Sequence, residues 1–287
     1  MEFDYQRLLN WPIPEVRQRY TVRDTMLYAL GVGLGADPLD AGQLGFVYED
    51  GLQVLPTYPV VLGYPGFWMK EPGTGIDWVR LVHGEQGIVI HKLPPPEGEV
   101  IGRTRITSII DKGAGKGMLV YTERRLTDAA TGELLASLPS TTFCRGNGGF
   151  GGPTGPVPPV HALPDRAPDR SIELPTLPQQ ALLYRLSGDY NPLHAEPKVA
   201  QAAKFERPIL HGLCTLGVAG HALLKAAGYV PERLAAIHAR FTAPVYPGDV
   251  LTTDIWQDGA VWSFRTRVAA RDNTVVLGNG RAVLHAA

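Results

Sequence analysis

Between residues 213 and 227 the apolar positions leave almost no polar face: Leu213, Leu216, Val218, Ala219, Ala222, Leu223 and Leu224 fall all round a helical wheel. A helix that is apolar on every side is buried on several sides. Gly228 suits its C-terminal end, and Pro231 just beyond prevents it continuing. A shorter stretch, residues 179–186, also has helical character. After Ala235 the period becomes extended. Residues 237–241, 250–256, 261–268 and 274–284 are expected as strands, separated by Pro-Gly, Asp-Gly and Asp-Asn turn signals. The first half repeats the pattern with strands expected over 78–92, 100–110, 118–128 and 133–143. One buried helix followed by antiparallel strands that curl around it is an α+β layer arrangement.

The halves also resemble each other in detail. Leu27-Tyr28-Ala29-Leu30-Gly31 leads to Asp37-Pro38-Leu39-Asp40, and Leu183-Tyr184-Arg185-Leu186-Ser187-Gly188 leads to Asn191-Pro192-Leu193-His194, with prolines 154 residues apart. Pro96-Glu97-Gly98-Glu99-Val100 echoes Pro247-Gly248-Asp249-Val250, with glycines 150 residues apart. Two matches at nearly one offset point to a duplicated fold. Residues 146–170 carry Gly146, Gly148, Gly149, Gly151 and Gly152, then Pro153, Pro156, Pro158 and Pro159, and are expected to be a linker. The division is therefore 1–145 for a first repeat and 171–287 for a second.

The second half concentrates the candidate chemistry. Pro192 lacks an N–H and disfavours a helical Asn191, so the preceding helix ends near Gly188. Asp189 and His194 then lie on a turn where their side chains can converge. Alone, the pair is equally a helix cap and a surface histidine. Context adds Pro208-Ile209-Leu210-His211-Gly212, which opens the buried helix. A helix N-terminus presents free N–H groups and partial positive charge, and Gly212 has no Cβ to keep a ligand oxygen away. Acid, base and oxyanion donor form a catalytic set. Aligned on the prolines, the first half has Gly35 and Asp40 at the places of Asp189 and His194, so one active site per chain is expected.

Composition narrows the partners. The 287 residues are 44% apolar and 19% charged, as in a folded globular protein, and the formal net charge is −1. A chain without a basic face is a poor match for nucleic acid. Cys144 and Cys214 are expected as buried free thiols in a reducing compartment. Met1-Glu2-Phe3-Asp4 is acidic where a secretory signal is basic. No apolar run approaches the roughly 20 residues of a membrane span. His285-Ala286-Ala287 is not a Ser-Lys-Leu address. These features lead to the expectation of a cytoplasmic protein. The histidines show no metal-ligand spacing, so no metal is expected. Gly31-Val32-Gly33-Leu34-Gly35 lacks the spacing of a dinucleotide loop. Four tryptophans, Trp68, Trp78, Trp256 and Trp262, are expected in the core or sheet.

The run from Tyr184 to His194 resembles the signature of the MaoC-like, (R)-specific 2-enoyl-CoA hydratases, or hydratase 2. The hydratase 2 portion of peroxisomal multifunctional β-oxidation enzymes is especially similar. Further likeness lies in residues 23–33, His83-Gly84-Glu85-Gln86, Asp111-Lys112-Gly113, residues 148–152, and Arg240-Phe241 with residues 244–248, and it spans nearly the whole chain. The resemblance implies a double hot-dog fold, two helix-wrapped antiparallel sheet repeats. It implies Asp189 and His194 as catalytic pair, the Gly212 N–H as oxyanion donor, and acyl-CoA contacts at His83, Gly84, Lys112, Asn191 and Phe241. On this reading the first repeat is non-catalytic and accommodates the acyl chain, with residues 56–67 as candidates. The implied reaction is reversible hydration of trans-2-enoyl-CoA to (3R)-3-hydroxyacyl-CoA without any cofactor beyond the CoA of the substrate, in a homodimer. A hot-dog thioesterase and a non-catalytic acyl-CoA-binding subunit are the alternatives.

Overall fold

The computed structural model describes residues 3–285. Met1, Glu2, Ala286 and Ala287, which enter the expectations about the two termini, lie outside the described residues. The chain begins with α1 (Tyr5–Leu9), β1 (Val16–Tyr20) and α2 (Val22–Gly31). A capping box starts α2: the Thr21 hydroxyl accepts from Asp24 N, and the Asp24 carboxylate accepts from Thr21 N. After α3 (Ala41–Leu44) comes a run of single 3-10 turns, Tyr58–Val61, Trp68–Lys70, Pro72–Thr74 and Trp78–Arg80. Four strands follow: β2 (Leu81–Ile90), β3 (Gly98–Asp111), β4 (Met118–Asp128) and β5 (Leu134–Cys144). The second half contains β6 (Arg170–Pro175), α4 (Gln180–Tyr184), α5 (Pro197–Ala202) and α6 (Gly212–Ala226). It finishes with β7 (Leu234–Phe241), β8 (Val250–Asp258), β9 (Val261–Val268) and β10 (Thr274–Leu284).

The strands form one sheet in the order β1-β3-β4-β5-β2-β7-β10-β9-β8-β6, antiparallel throughout. The two halves meet edge to edge at β2 and β7, with Glu85 opposite Arg240 and Val89 opposite Ala236. Each half thereby covers an edge that would otherwise expose unpaired N–H and C=O groups. A hot-dog-like α+β architecture results, one helix-wrapped sheet unit beside another.

The halves are not equivalent behind the sheet. The sequence pattern led to a buried helix in each, but only α6 has that character: Cys214 to Leu224 are buried throughout. The first half has turns from α3 to β2 where a long helix was expected. Four prolines in that stretch, Pro56, Pro59, Pro65 and Pro72, deny a helix its N–H donors. Trp78 is correspondingly on a turn and half exposed, and the strand expected from residue 78 begins at Leu81. Strands β1 and β6 were not anticipated, because Val16-Arg17-Gln18-Arg19-Tyr20 and Arg170-Ser171-Ile172-Glu173 are edge strands with few apolar residues.

Helix α6 fills the space between the halves. A Cβ on Gly217 would come within 2.5 Å of Val32 Cγ1, and one on Gly220 within 2.5 Å of Thr57 Cγ2. The two glycines, three apart on one helical face, let the first half approach the helix backbone. The carbonyl of Gly31, at the end of α2, accepts from the Gln180 amide and the Cys214 thiol. An orphan acceptor at a helix C-terminus in one half is thus satisfied by the other. Both cysteines are buried and free.

The first part of residues 146–170 is held rather than loose. Asp111, buried at the end of β3, accepts from Gly113 N, Gly149 N and Gly151 N at 2.7–2.9 Å. Burial opposes its charge, but these N–H groups outweigh that and keep the carboxyl below its ordinary pKa.

Gly217→Ala separates propensity from packing. Alanine in a helix is favoured over glycine by about 0.5–1 kcal/mol, whereas overpacking costs about 1–3 kcal/mol. Urea unfolding is expected to give a less stable variant, and a stabilised Gly217→Ala would contradict the close approach of Val32.

Candidate active site

Local backbone chemistry assembles the turn that follows α4. The helix continues as a 3-10 turn to Ser187 and ends at Gly188, whose φ of +116° is costly for residues with a Cβ. Asn191 N donates to Asp189 Oδ1 at 3.2 Å, and Asn191 Oδ1 accepts from Leu193 N at 3.1 Å. The second bond caps the 3-10 turn Pro192–His194. Asn191 is exposed and acts in this structure on the loop itself, orienting Asp189.

His194 is buried, and its Nδ1 lies 2.8 Å from the carbonyl oxygen of Ile209. A carbonyl only accepts, so Nδ1 carries the proton and Nε2 keeps its lone pair. His211 stacks on it, with ring centroids 3.7 Å apart and planes at 30°. His211 Nε2 donates in the same way to the Asp189 carbonyl at 3.1 Å, leaving its Nδ1 without a partner. Candidate ligand atoms of Asp189, His194 and His211 all lie within 4.8 Å of one another. These are the groups among the described residues that could offer three atoms to a metal ion, a set invisible in linear spacing. The same lone pairs are the ones a proton-transfer site uses.

Desolvation sets the charge state. Burial lowers His194 below its ordinary value of 6.5, only partly countered by the Ile209 carbonyl and the Asp189 charge. His211 is pushed down to about 4, first by burial and then by His194. Both rings are therefore neutral near pH 7, and no pair of stacked imidazolium cations arises.

Gly212 is the first residue of α6, and no side chain caps that helix end. Its first-turn N–H groups remain available to an oxygen. A Cβ on Gly212 would meet the Phe241 ring at 3.2 Å, so the missing side chain also admits that ring. Phe241, at the end of β7, faces His83 on β2 with centroids 4.8 Å apart. His83 is tied to Glu85 O and Ser140 Oγ, both at 3.1 Å, and desolvation lowers it to about 4. Gly84 is the bulged residue where the β2–β5 register slips, and a Cβ there would meet the Thr141 carbonyl at 3.2 Å.

The structure thus brings Asp189, His194, Gly212, Phe241 and His83 into one neighbourhood, with Asn191 and Gly84 shaping its walls. Lys112 stands apart. It is exposed on the β3–β4 turn, in the row of the sheet where Asp111 pairs with Met118, Met118 with Cys144 and Cys144 with Leu81, two residues before His83. Sequence reasoning missed His211 as a site residue. Its position between Leu210 and the first residue of a largely buried helix was the available signal.

The buried imidazoles also make stability depend on pH. His83, His211 and His221 are each lowered to about 4, chiefly by burial, against an ordinary 6.5. Between those values the unfolded chain binds protons that the folded chain does not. Their stabilising contribution is complete above about pH 6.5 and declines as pH falls towards 4. Thermal melts at constant ionic strength are expected to give a Tm that drops by several degrees from pH 7 to pH 5. A flat or rising Tm would place these rings in water.

Two family models cover most of the chain: the MFE-2 hydratase 2 N-terminal domain matches residues 18–146, and the MaoC like domain matches residues 159–278. The chain is 45% identical over 271 residues to 3-hydroxyacyl-thioester dehydratase Y of Mycobacterium tuberculosis, covering 91% of each. It is 40% identical over 294 residues to the peroxisomal enoyl-CoA hydratase 2 of Arabidopsis thaliana, covering 96% of this chain and 94% of that one. A MaoC-like dehydratase from Phytophthora capsici superposes with a TM-score of 0.87 at 35% identity, over 99% of both chains. At 16% identity and a TM-score of 0.53, a Mycobacterium tuberculosis protein with a double hot-dog fold shares the architecture. The expectation of a cytoplasmic protein does not stand. Relatives include peroxisomal multifunctional enzymes, among them type 2 of Mus musculus, 37% identical over 274 residues, of which the chain spans 36%. No helix among the described residues is long and apolar enough to cross a membrane, but compartment is set by short receptor-read addresses that leave no mark on hydropathy. On the two matching models and on relatives that align along nearly its whole length, the chain belongs to the MaoC-like hydratase 2 family, homologous to the hydratase 2 domains of the peroxisomal multifunctional enzymes.

Proposed function

We propose that the chain hydrates trans-2-enoyl-CoA reversibly to (3R)-3-hydroxyacyl-CoA. One observation carries the reading: a carboxylate, Asp189, and an imidazole lone pair, His194 Nε2, converge beside the uncapped N-terminus of α6. Relatives named for enoyl-CoA hydration and for 3-hydroxyacyl-thioester dehydration carry the two directions of one reaction. The first repeat, with its turns where the second has α6, accommodates the acyl chain, and Lys112, as an exposed point charge, meets a phosphate of CoA.

The chemistry follows from the protonation states. A water between Asp189 and His194 gives a proton to Nε2 as its oxygen bonds to C3. The C2=C3 pair moves towards the thioester carbonyl, whose oxygen gains charge beside the Gly212 N–H. The pair then returns to C2 and takes the proton back from Nε2. Asp189 holds the water and stabilises the transient imidazolium, and His211, neutral beneath it, adds no repulsion. General acid–base help contributes about 10²–10⁴-fold and one oxyanion donor about 10²–10³-fold. Water oxygen and proton reach the same face of the double bond, a syn addition.

Hydration assays across crotonyl-, decenoyl- and branched enoyl-CoA, coupled to (3R)- or (3S)-specific dehydrogenases, are expected to register the (3R) product alone. Predominant (3S) product rejects the assignment, and release of free CoA without hydration favours a thioesterase.

Asp189→Asn and His194→Gln are each expected to lower kcat by on the order of 10²–10⁴. Because both groups act on one water, the double variant should lose far less than the product of the two effects. A folded single variant retaining more than about a tenth of wild-type kcat, far above what losing a general acid or base allows, moves the chemistry elsewhere.

A further inference from the structure

Strand β4 alternates between core and solvent, and its core face carries Met118, Val120, Leu126 and, among them, Arg124. Arg125 points outward as expected of a charge, but Arg124 is 8% exposed. A buried guanidinium normally has a carboxylate beside it, since an unpaired buried charge costs several kcal/mol. Arg124 has none among the described residues. Its Nη2 donates to the Val60 carbonyl, and the Tyr64 ring lies 5.6 Å from its Cζ. Its Nε has no partner.

The surroundings share that incompleteness. The Tyr184 hydroxyl, electrostatically coupled to Arg124, is buried without a hydrogen-bond partner, whereas the buried hydroxyls of Tyr28 and Thr57 lie against each other. The rings of Tyr28 and Tyr184 are 6.0 Å apart, and Tyr184 lies 5.1 Å from His211 in the candidate active site. Val60 belongs to the 3-10 turn Tyr58–Val61, and Tyr64 to the irregular stretch that follows it. Arg124 and Asp189 both act electrostatically on Tyr64, Tyr184 and His83, so the guanidinium and the catalytic groups share these three neighbours. A plain alkyl tail beside Arg124 would leave the guanidinium without a countercharge and the Tyr184 hydroxyl unpaired.

We propose that Arg124 is a specificity-determining residue that binds the terminal carboxylate of an ω-carboxylated 2-enoyl thioester, with the partnerless Tyr184 hydroxyl as a further donor. This rests on the hydratase reading and narrows it to a substrate class. A carboxylate is the group that fits, because it supplies the missing countercharge and accepts paired N–H donors from the guanidinium fork. A charge-assisted bond to such an anchor contributes about 1.5–3 kcal/mol, or roughly 10- to 100-fold in selectivity.

The test compares trans-2-hexenoyl-CoA with its six-carbon ω-carboxylated counterpart, trans-2,3-didehydroadipyl-CoA. The wild type is expected to favour the diacid thioester in kcat/KM by about 10-fold or more, and Arg124→Leu to reverse that preference. Arg124→Lys, which keeps the charge but not the fork, should retain part of it. A wild type that handles both equally or prefers hexenoyl-CoA overturns the proposal, as does an Arg124→Leu variant with an unchanged ratio. If the variants fail to fold, thermal shifts of the wild type with the saturated adipyl-CoA and hexanoyl-CoA decide the matter. A larger shift with adipyl-CoA supports the anchor and equal shifts reject it. The same binding comparison separates the two readings, since a protein that hydrates no enoyl-CoA but prefers adipyl-CoA loses the hydratase assignment and keeps the anchor.

Discussion

The pairing of β2 with β7 is the constraint on which the rest of the molecule depends. It converts two curved sheets into one and places Glu85 opposite Arg240, where Arg240 Nη2 and Glu85 Oε1 are 2.6 Å apart. Through the same register, His83 near the start of β2 meets Phe241 at the end of β7. Phe241 in turn packs against the glycine that begins α6. A site made from both halves therefore follows from strand register. A one-residue slip would turn His83 away to the other face of the sheet.

Helix α6 carries two demands that usually conflict. Its length is buried, so its peptide dipoles act in a poorly screened medium, and its first turn is left without a side-chain cap. Uncapped helix ends are destabilising unless something accepts from them. The close packing of Gly217 and Gly220 against Val32 and Thr57 holds the helix in place regardless. That rigidity is what a preorganised oxyanion donor needs, because a donor already in position costs no reorganisation when charge develops.

Burial also selects protonation states across the site. His194 and His211 each use one nitrogen on a backbone carbonyl, which settles their tautomers and leaves the other nitrogen unprotonated. Asp189 is half-buried and bonded to the N–H of Asn191. The carboxylate stays in contact with water while the imidazole is shielded from it. In the first half Asp40, which aligns with His194, serves as the N-cap of α3 and accepts from the Tyr229 hydroxyl.

Much was legible from sequence because it is local. Strands β7 to β10, the buried helix ending before Gly228, the turn imposed by Pro192 and the family motifs along the chain are written in periodicity, turn chemistry and short runs of residues. Asp189, Asn191 and His194 are close in sequence, so their convergence needed only a turn. What reaches across the chain was not legible. The turns replacing a helix in the first half, the stack of His211 on His194 and the cluster of donors these form with Asp189 arise from packing between distant segments. So does the inward turn of Arg124 beside its outward neighbour Arg125, which composition counts as the same residue. Sequence determines which conformations each segment tolerates and which faces seek burial. Only the tertiary structure decides which polar groups meet when those faces close, because hydrogen bonds and pKa values depend on distances that no local pattern encodes.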